Sequence, residues 1–481
     1  MVIDELKYRI LSAFGLQPTA EQQQAIQTFT MFMTERDSRS AMILRGSAGT
    51  GKTTLAGAIV RAMTVLKQKM VLLAPTGRAA KVFSLNAGSP AYTIHRRIYR
   101  QRTAGDLVPD LRSSIPGHSS FNLNANLQRD TLYIIDEASM IANQGTGESV
   151  FGSGRLLDDL IEFVYSADNN CRMMLIGDHA QLPPVGEPES PALQASTLRC
   201  YGLKVYEAEL NEVLRQSQES GILYNATRIR YSALPKINLN FPDIRMVPGD
   251  ELIESLATSY SRVGLDETIV ITRSNKRANI YNQGIRNTVL DREDELCRGD
   301  QLMIVKNNYY WTEKEKDIPF LANGDVATVQ RVRNVHELYG FRFAEVTLVF
   351  PDYNDYELTA TVLLDTLTSE SPSLTHEQQQ QLYDQVMEDY ADIPLKTDRI
   401  KKLKTDGYYN ALQVKFAYAV TCHKAQGGQW SHVYIDQGYM TDDMLTADYN
   451  HWLYTAFTRA TERLFLVNWP KTQIETDERL S

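Results

Sequence analysis

The sequence predicts an α/β protein that contains more than one doubly wound unit. Short apolar, β-rich runs recur along the chain, each is followed by a loop of polar or glycine residues, and helical stretches lie between many of them. Strands that are apolar on both faces are typical of parallel sheets covered by helices. The chain has 481 residues, so it should divide into two or more domains, each with its own core.

The strands are predicted in chain order from these apolar runs. In a doubly wound fold, the loops that bind ligands follow the carboxyl ends of such strands. The predicted strands cover residues 41–45, 70–74, 131–135, 172–176, 268–272, 416–421, 432–436 and 463–467.

Two stretches interrupt this pattern. Residues 98–128 contain several Gly, Pro, Ser and Asn, which predicts a loop or hairpin inserted between strands. Residues 301–407 alternate short β-like runs with turns and predict a small β module inserted in the second α/β unit. Within that module we expect a polar helix at 374–390 and a locally basic segment at 396–404.

Composition and charge are those of a soluble globular protein. Hydrophobic residues make up 43% of the chain and charged residues 23%. No apolar run approaches the ~20 residues that span a bilayer, and the first residues lack the pattern of a signal peptide, so we expect a cytoplasmic protein. The net charge of −9 does not exclude nucleic-acid binding, because a local basic groove is sufficient for it.

A complete phosphate-binding loop follows the first predicted strand. The run GSAGTGKT at residues 46–53 matches G-x-x-x-x-G-K-[ST] and precedes a helical stretch. The backbone amides and the helix N-terminus of such a loop face the phosphates. Lys52 should contact the β- and γ-phosphates, and the Thr53 hydroxyl should bind Mg²⁺. The predicted nucleotide-binding residues here are Gly46, Ser47, Ala48, Gly49, Thr50, Gly51, Lys52, Thr53 and Thr54.

A pair of carboxylates follows the predicted strand at 131–135. Asp136 and Glu137 stand directly at its end. In P-loop enzymes one carboxylate holds Mg²⁺, while the next polarises the attacking water. We therefore assign Asp136 to magnesium and Glu137 to the catalytic base, which predicts an ATP-hydrolysing enzyme.

Further segments resemble the motifs of one helicase family, in that family's order. With TAEQ at 19–22, they cover residues ~19–460 and resemble the RecD/Dda-like branch of superfamily 1B DNA helicases, to which Pif-type enzymes are related. Segments similar to motifs Ia, Ib, II, III, IV, V and VI are LLAPTGRAAK (72–81), TIHR (93–96), DEAS (136–139), IGDHAQLPPV (176–185), LNEVLRQ (210–216), VTCHKAQG (420–427) and LYTAFTRA (453–460).

The resemblance implies an architecture for the whole chain. Two RecA-like P-loop domains are expected, with ATP in the cleft between them. The first should cover residues 1–205, with a hairpin or wedge insert at about 98–128. The second should cover 206–300 and 408–481, interrupted by an SH3-like β insert at 301–407.

The resemblance also implies roles for single residues around the nucleotide. Gln22 should contact the adenine, Gln181 should sense the γ-phosphate, and Gly427 should lie near the nucleotide. Arg215 and Arg459 should act as arginine fingers from the second domain, since a guanidinium stabilises charge on the transferred phosphate. Gln429 stands where the family commonly has Glu, so this position offers a neutral amide that can hydrogen-bond a ribose hydroxyl and supplies no carboxylate.

The expected DNA track combines polar and basic side chains that can contact phosphates along a single strand. Tyr99 or Phe121, in the first insert, could stack on the fork that a wedge opens. The basic run at 95–102 also fits an ordinary solvated helix face. The candidate DNA contacts are Thr76, Thr93, His95, Arg96, His423 and Lys424.

These features predict an ATP- and Mg²⁺-dependent DNA helicase that moves on single-stranded or forked DNA, 5′→3′ by analogy with its branch. An RNA helicase or RNP remodeller of the same superfamily is the alternative, and a scaffold subunit of a nuclease complex is a further one. Repair, recombination or nuclease proteins are possible partners. One chain suffices for such a motor.

Overall fold

The computed structural model describes residues 2–37, 39–101, 121–145, 151–166, 169–213, 219–232, 235–312, 318 and 320–475. Two α/β lobes and a closed β-barrel make up this part of the chain. No helix within it is long and apolar enough to cross a membrane.

The first lobe contains a six-stranded parallel sheet, in the order β3-β2-β6-β7-β1-β8. Alternate residues of its strand β1 enter two different cores, Ala41 and Ile43 on one face and Met42 and Leu44 on the other. Both faces are therefore covered, as the apolar runs predict. Its strands are β1 Ser40–Gly46, β2 Lys69–Ala74, β3 Ala91–Thr93, β6 Thr131–Ile135, β7 Arg172–Gly177 and β8 Lys204–Leu210. Its helices are α1 Val2–Phe14, α2 Ala20–Thr34, α3 Lys52–Val65, α4 Gly77–Ala87, α5 Ile94–Ile98, α6 Leu156–Tyr165 and α7 Ala195–Cys200.

Two short strands leave the first lobe as an antiparallel ribbon. β4 (Tyr99–Gln101) pairs with β5 (Phe121–Leu123), with Tyr99 opposite Leu123. The intervening residues 102–120 lie outside the described part of the chain. The ribbon lies within the range where the sequence predicts an insert.

The second lobe contains a five-stranded parallel sheet, in the order β16-β10-β17-β18-β9. Its strands are β9 Ile244–Val247, β10 Thr268–Thr272, β16 Ala419–Thr421, β17 Trp430–Asp436 and β18 Ala460–Val467. Its helices are α8 Gly221–Tyr231, α9 Leu252–Val263, α10 Asn275–Gly284, α13 Cys422–Ala425 and α14 Ala447–Phe457.

A closed barrel is inserted in the second lobe, between α10 and β16. Two helices between its last two strands pack on it through Leu382, Val386 and Leu403, against Phe341 and Phe343. The barrel strands are β11 Gln301–Ile304, β12 Val326–Leu338, β13 Phe341–Phe350, β14 Tyr356–Leu363 and β15 Leu412–Phe416, and the two helices are α11 His376–Asp389 and α12 Lys396–Lys404.

The predicted fold class is confirmed, because two parallel α/β sheets are present and a small barrel interrupts the second lobe. Strand β8 continues to Leu210, past the predicted domain end at 205, and strand β15 lies beyond 407. The single strand predicted at 416–421 is wrong. Phe416 ends a barrel strand, whereas Ala419 begins a strand of the second parallel sheet.

Candidate nucleotide and nucleic-acid site

The phosphate-binding loop connects β1 to α3, and its glycines are required by its shape. Gly49 and Gly51 have φ angles of +76° and +82°, a region that side chains rarely adopt. A Cβ on Gly46 would lie 2.9 Å from Cγ of Lys52. Nζ of Lys52 donates to the carbonyls of Gly46 and Ser47, at 2.5 and 2.9 Å. A backbone cradle with one lysine ammonium inside fits a nucleoside polyphosphate.

The acidic pair directly follows β6, beside the phosphate-binding loop. Burial and then the neighbouring Glu137 carboxylate raise the pKa of Asp136, while Lys52 lowers it. A divalent cation would relieve the repulsion between the two carboxylates, so the pair fits Mg²⁺. Glu137 has a left-handed backbone, φ +52°, which is uncommon outside glycine and occurs at functional sites.

Gln181 connects the acidic pair to the second lobe. With its amide oriented to satisfy both neighbours, the nitrogen donates to Oε2 of Glu137 at 3.2 Å and the oxygen accepts from Arg459 at 3.3 Å. The guanidinium of Arg459 also lies 4.0 Å from Oε1 of Glu137. The structure thus brings Glu137, Gln181 and Arg459 together. Arg215, the other predicted finger, lies outside the described residues.

The segment that carries Gln181 is hydrogen-bonded along its length by the second lobe. Nδ1 of His451 lies 2.9 Å from the carbonyl oxygen of Ala180. The amide of Leu182 donates to Oγ1 of Thr455 at 2.7 Å, and its carbonyl accepts from Gln426 at 2.7 Å. Three residues from two elements of one lobe therefore hold a single loop of the other, and the distance between the lobes determines whether Glu137, Gln181 and Arg459 meet.

Sequence reasoning missed two further residues at this interface. Arg230, on α8, lies 3.6 Å from Oδ1 of Asp178, and the two side chains are 5% and 1% exposed. The Tyr454 hydroxyl donates to Oδ2 of the same aspartate at 2.5 Å. Tyr454 stands within the segment 453–460, whereas Arg230 lies outside the segments of the helicase resemblance, and their contacts with Asp178 join residues that are distant in sequence. No local pattern identifies such contacts.

Two residues that are predicted to contact the nucleotide, Gln22 and Gly427, have close protein neighbours. The amide nitrogen of Gln22 donates to the carbonyl of Thr50 at 2.9 Å, and its oxygen accepts from the amide of Thr19 at 3.0 Å. A Cβ on Gly427 would lie 3.0 Å from Ala79 and 3.1 Å from Thr76, at the start of α4. The adenine contact of Gln22 and the nucleotide contact of Gly427 stay predictions.

Thr76 and Thr93 lie at the carboxyl ends of neighbouring strands in the first lobe. Each caps the helix that follows, accepting from the amides of Ala79 and Arg96 at 3.2 Å. The second sheet repeats this arrangement. Ser274 follows β10 and caps α10, accepting from the amide of Arg277 at 3.2 Å, while Thr421 ends the edge strand β16. Ser274 is a position that the sequence analysis did not include.

The start of α4 is enclosed by the second lobe and the barrel. The Arg78 guanidinium lies 4.1 Å from the Trp430 ring centroid and donates to the carbonyl of Gln429 at 2.9 Å. Nζ of Lys81 lies 3.1 Å from Oδ1 of Asp352, on the barrel. Thr76 is therefore positioned between the lobes. A single nucleic-acid strand that contacts both lobes would pass this position.

His95 is half-buried and packs against aromatic residues of the first lobe. Its ring packs edge-on against Phe151, with centroids 4.7 Å apart, and burial lowers the pKa of His95 to about 4. The imidazole is therefore neutral at physiological pH. Arg96 beside it lies over the Tyr92 ring, at 5.1 Å.

The proposed stacking of Tyr99 or Phe121 on a fork is wrong for the conformation seen here. Their side chains are only 7% and 6% exposed. They belong to an aromatic cluster with Phe151, and with Tyr309 and Phe320 from the barrel, at centroid distances of 4.3 to 6.5 Å. The aromatic rings join the ribbon to the barrel and do not face solvent.

The lysines near the end of β16 form a positive region. His423 is exposed and Lys424 is half-buried. Lys415, on the neighbouring barrel strand, donates to the carbonyls of Thr366 and Ser369. Burial lowers the pKa of Lys424 and of Lys415 to about 8, and for Lys415 the charge of Lys424 adds to the effect. Among the described residues, no carboxylate lies within ion-pair distance of either ammonium.

Two family models match the chain. The AAA domain model matches residues 17–233, which contain the phosphate-binding loop, the acidic pair and Gln181. The UvrD-like helicase C-terminal domain model matches residues 416–467, which contain Lys424, Tyr454 and Arg459. The two matched segments contain Glu137, Gln181 and Arg459, which meet between the two lobes.

Curated relatives and solved structures are also similar to the chain. The ATP-dependent RecD2 DNA helicase of Deinococcus radiodurans is 22% identical over 88% of this chain, and the ATP-dependent DNA helicase dda of Enterobacteria phage T4 is 24% identical over 56%. The chain spans 46% and 57% of the lengths of these two relatives. The crystal structure of the Pif1 helicase from Candida albicans superposes on 96% of this chain and 97% of its own, with a TM-score of 0.47 at 17% identity.

Proposed function

We propose that this chain is an ATP-dependent DNA helicase of superfamily 1B, a proposal supported by its ordered motifs and by its similarity to the RecD2 and dda helicases. It couples ATP hydrolysis to movement along single-stranded DNA and to separation of a duplex. The contact that carries this proposal is the bridge of Gln181 between Glu137 and Arg459, because it joins the hydrolytic residues of one lobe to a cation of the other.

The catalytic roles follow from where each side chain lies. The phosphate-binding loop and Lys52 hold the β- and γ-phosphates of ATP, and Glu137 accepts a proton from the attacking water. Mg²⁺, held by Thr53 and Asp136, would neutralise phosphate charge. Arg459 stabilises the charge that develops on the transferred phosphate, a contribution of ~10³–10⁵ in rate for arginine fingers.

Hydrolysis is coupled to movement because both events depend on the distance between the lobes. The Arg459 guanidinium lies 4.0 Å from Glu137 across the cleft, so opening of the cleft would separate the two side chains. The candidate strand contacts are divided between the lobes, with Thr76 and Thr93 in the first and Ser274, His423 and Lys424 in the second. Opening and closing of the cleft would then change the spacing of the two sets along a bound strand.

The DNA track consists of contacts that can be made and released. Thr and Ser hydroxyls and the neutral His95 can donate single hydrogen bonds to phosphates, whereas Lys424 supplies charge. Arg96 adds a cation at the ribbon end of the track. These contacts are sequence-independent, as a motor that moves along any strand requires.

Unwinding of tailed duplexes tests this proposal. Forked DNA and duplexes with a 5′ or a 3′ single-stranded tail are incubated with the chain and ATP, and the separated strand is measured. The matched inactive control is Glu137→Gln, which keeps the phosphate-binding loop. We expect separation of the forked and 5′-tailed DNA by the wild-type chain only.

Each other result has a defined meaning. Unwinding from 3′ tails alone would overturn the 5′→3′ polarity. Unwinding confined to duplexes with RNA tails would support an RNA helicase or RNP remodeller instead. ATP hydrolysis without unwinding of any substrate would contradict helicase activity and point to a translocase that needs a repair, recombination or nuclease partner.

A further inference from the structure

The phosphate-binding loop is hydrogen-bonded to the opposite lobe through one tyrosine. The backbone amide of Ala48 donates to the Tyr454 hydroxyl at 2.9 Å. The same hydroxyl donates to Oδ2 of Asp178 at 2.5 Å. One oxygen atom of the second lobe is therefore both acceptor and donor, and it joins the nucleotide loop to the segment that carries Gln181.

This hydroxyl lies in a buried polar network. The side chains of Tyr454 and Asp178 are each 1% exposed. Oδ1 of Asp178 accepts from the amide of Ala180 at 3.0 Å and lies 3.6 Å from the Arg230 guanidinium. Hydrogen bonds to a buried carboxylate are stronger than those between neutral groups, and a buried polar network favours one arrangement of its members.

Tyr454 and the arginine finger are carried by the same element. Tyr454 lies on α14, and Arg459 follows directly after the end of that helix. The Arg459 side chain is tied back to this region through Thr455, whose carbonyl accepts from Nε at 3.0 Å. Any displacement of Tyr454 from the phosphate-binding loop must therefore also move Arg459 relative to Glu137.

We propose that Tyr454 is a positioning residue that couples the phosphate-binding loop to closure of the lobes and so to delivery of Arg459. This inference rests on the proposed function, since it concerns the same hydrolysis reaction. Tyr454 does not touch the reacting atoms. Its hydroxyl is hydrogen-bonded to the loop at Ala48, so a change in the loop's conformation displaces Tyr454. Through Asp178 and α14, this displacement changes the position of Arg459 relative to Glu137.

The variant Tyr454→Phe tests the coupling, because it removes only the hydroxyl from a ring that stays packed. The matched control is Tyr449→Phe, on the same helix, whose hydroxyl is also buried and donates to Gln437 within the second lobe at 2.6 Å. ATP hydrolysis is measured with and without single-stranded DNA, together with the melting temperature of each variant.

For Tyr454→Phe we expect kcat to fall about tenfold, the effect of losing a hydrogen bond to a buried carboxylate from the closed state. KM for ATP should change less than about twofold, because the remaining contacts of the loop are unchanged. Tyr449→Phe should keep the wild-type kcat. Combining Tyr454→Phe with Asp178→Asn should cost less than the sum of the two single effects, since both act through one network.

Unchanged kcat in Tyr454→Phe would overturn the inference, as would equal losses of kcat and melting temperature in the two tyrosine variants, which indicate a structural role. Failure of the proposed function gives a different result. If DNA does not stimulate the wild-type chain, the DNA motor is contradicted, and the basal rates of the two variants still decide whether Tyr454 positions the finger.

Discussion

At the scale of single residues, the proposed hydrolytic centre contains a carboxylate, Glu137, held in a strained backbone conformation. Glu137 has the left-handed backbone of a residue fixed by its surroundings, and it lies beside both Gln181 and Arg459. One carboxylate oxygen of its neighbour Asp136 accepts from the amide of Glu137 at 2.9 Å. This hydrogen bond fixes the position of the Asp136 carboxylate relative to Glu137.

The variant Glu137→Gln should lose hydrolysis and keep nucleotide binding. An amide cannot accept the proton of the attacking water, so the rate should fall by about 10²–10⁴-fold. The phosphate-binding loop and Lys52 are unaffected, so a fluorescent ATP analogue should still bind. Glu162→Gln, at an exposed position of α6, is the control and should hydrolyse ATP normally. A Glu137→Gln variant with wild-type turnover would show that another group is the base.

Single-stranded DNA affinity should depend on pH through Lys424 and Lys415. Their pKa values are lowered to about 8, so both ammoniums lose protons as the pH rises from 7 to 9. Affinity should therefore fall over this range, and its dependence on salt should become shallower. The free energy of unfolding should change in the opposite direction and rise with pH between about 8 and 10.5, because the folded state disfavours the protonated lysines.

Salt titrations of the wild-type chain and of Lys424→Met at two pH values measure this effect. At pH 7 the variant should lower the slope of log affinity against log salt by ~0.7, one phosphate contact on a single strand. Lys402→Met removes an exposed lysine from α12 of the barrel and is the control. Equal slopes for Lys424→Met and the wild-type chain would remove Lys424 from the track.

At the scale of elements, local chemistry predicts the central strands of the two parallel sheets and misses edge strands such as β8. β1, β6, β7 and β10 are continuous apolar runs, and the structure has them where they are predicted. β8 was missed because it is an edge strand whose exposed positions hold charged residues. The end of β15 and β16 were joined in one predicted strand, because apolar residues continue from one to the other although they belong to different sheets.

The functional residues divide in the same way. The phosphate-binding loop and Asp136–Glu137 depend on neighbours in the chain, so a pattern predicts them. Tyr454 and Asp178 are 276 residues apart, and Arg78 and Gln429 are 351 apart. Such contacts exist only after both lobes have folded and packed together. For the same reason, no pattern indicated that Tyr99 and Phe121 would be covered by the barrel.

Phe320→Ala should loosen the ribbon from the barrel. Phe320 contacts Phe121, Phe151 and Tyr309 and is 7% exposed. Its truncation should reduce the free energy of unfolding by ~3 kcal/mol, the lower range for a buried phenylalanine. Urea unfolding checks this value. Phe320→Leu keeps most of the apolar volume and should lose less, whereas equal losses would show that the aromatic ring contacts, and not apolar burial, stabilise this site.

At the scale of the whole molecule, the two lobes and the barrel form one linked assembly. α14 of the second lobe holds the segment around Gln181, the loop after α13 packs on α4, and the barrel contacts both α4 and the ribbon. The nucleotide residues and the candidate strand contacts are thus connected by the same interfaces. A change in the cleft can reach the strand contacts without a separate signalling element.

The most direct test of a nucleic-acid-driven motor is the rate of ATP hydrolysis with and without single-stranded DNA. The wild-type chain is compared with Lys52→Ala, and single-stranded RNA serves as the nucleic-acid control. We expect DNA to stimulate hydrolysis strongly, RNA to stimulate it less, and the stimulation to be lost in Lys52→Ala, which removes the ammonium from the phosphate-binding loop. Equal or better stimulation by RNA, or hydrolysis that DNA leaves unchanged, would contradict a DNA helicase.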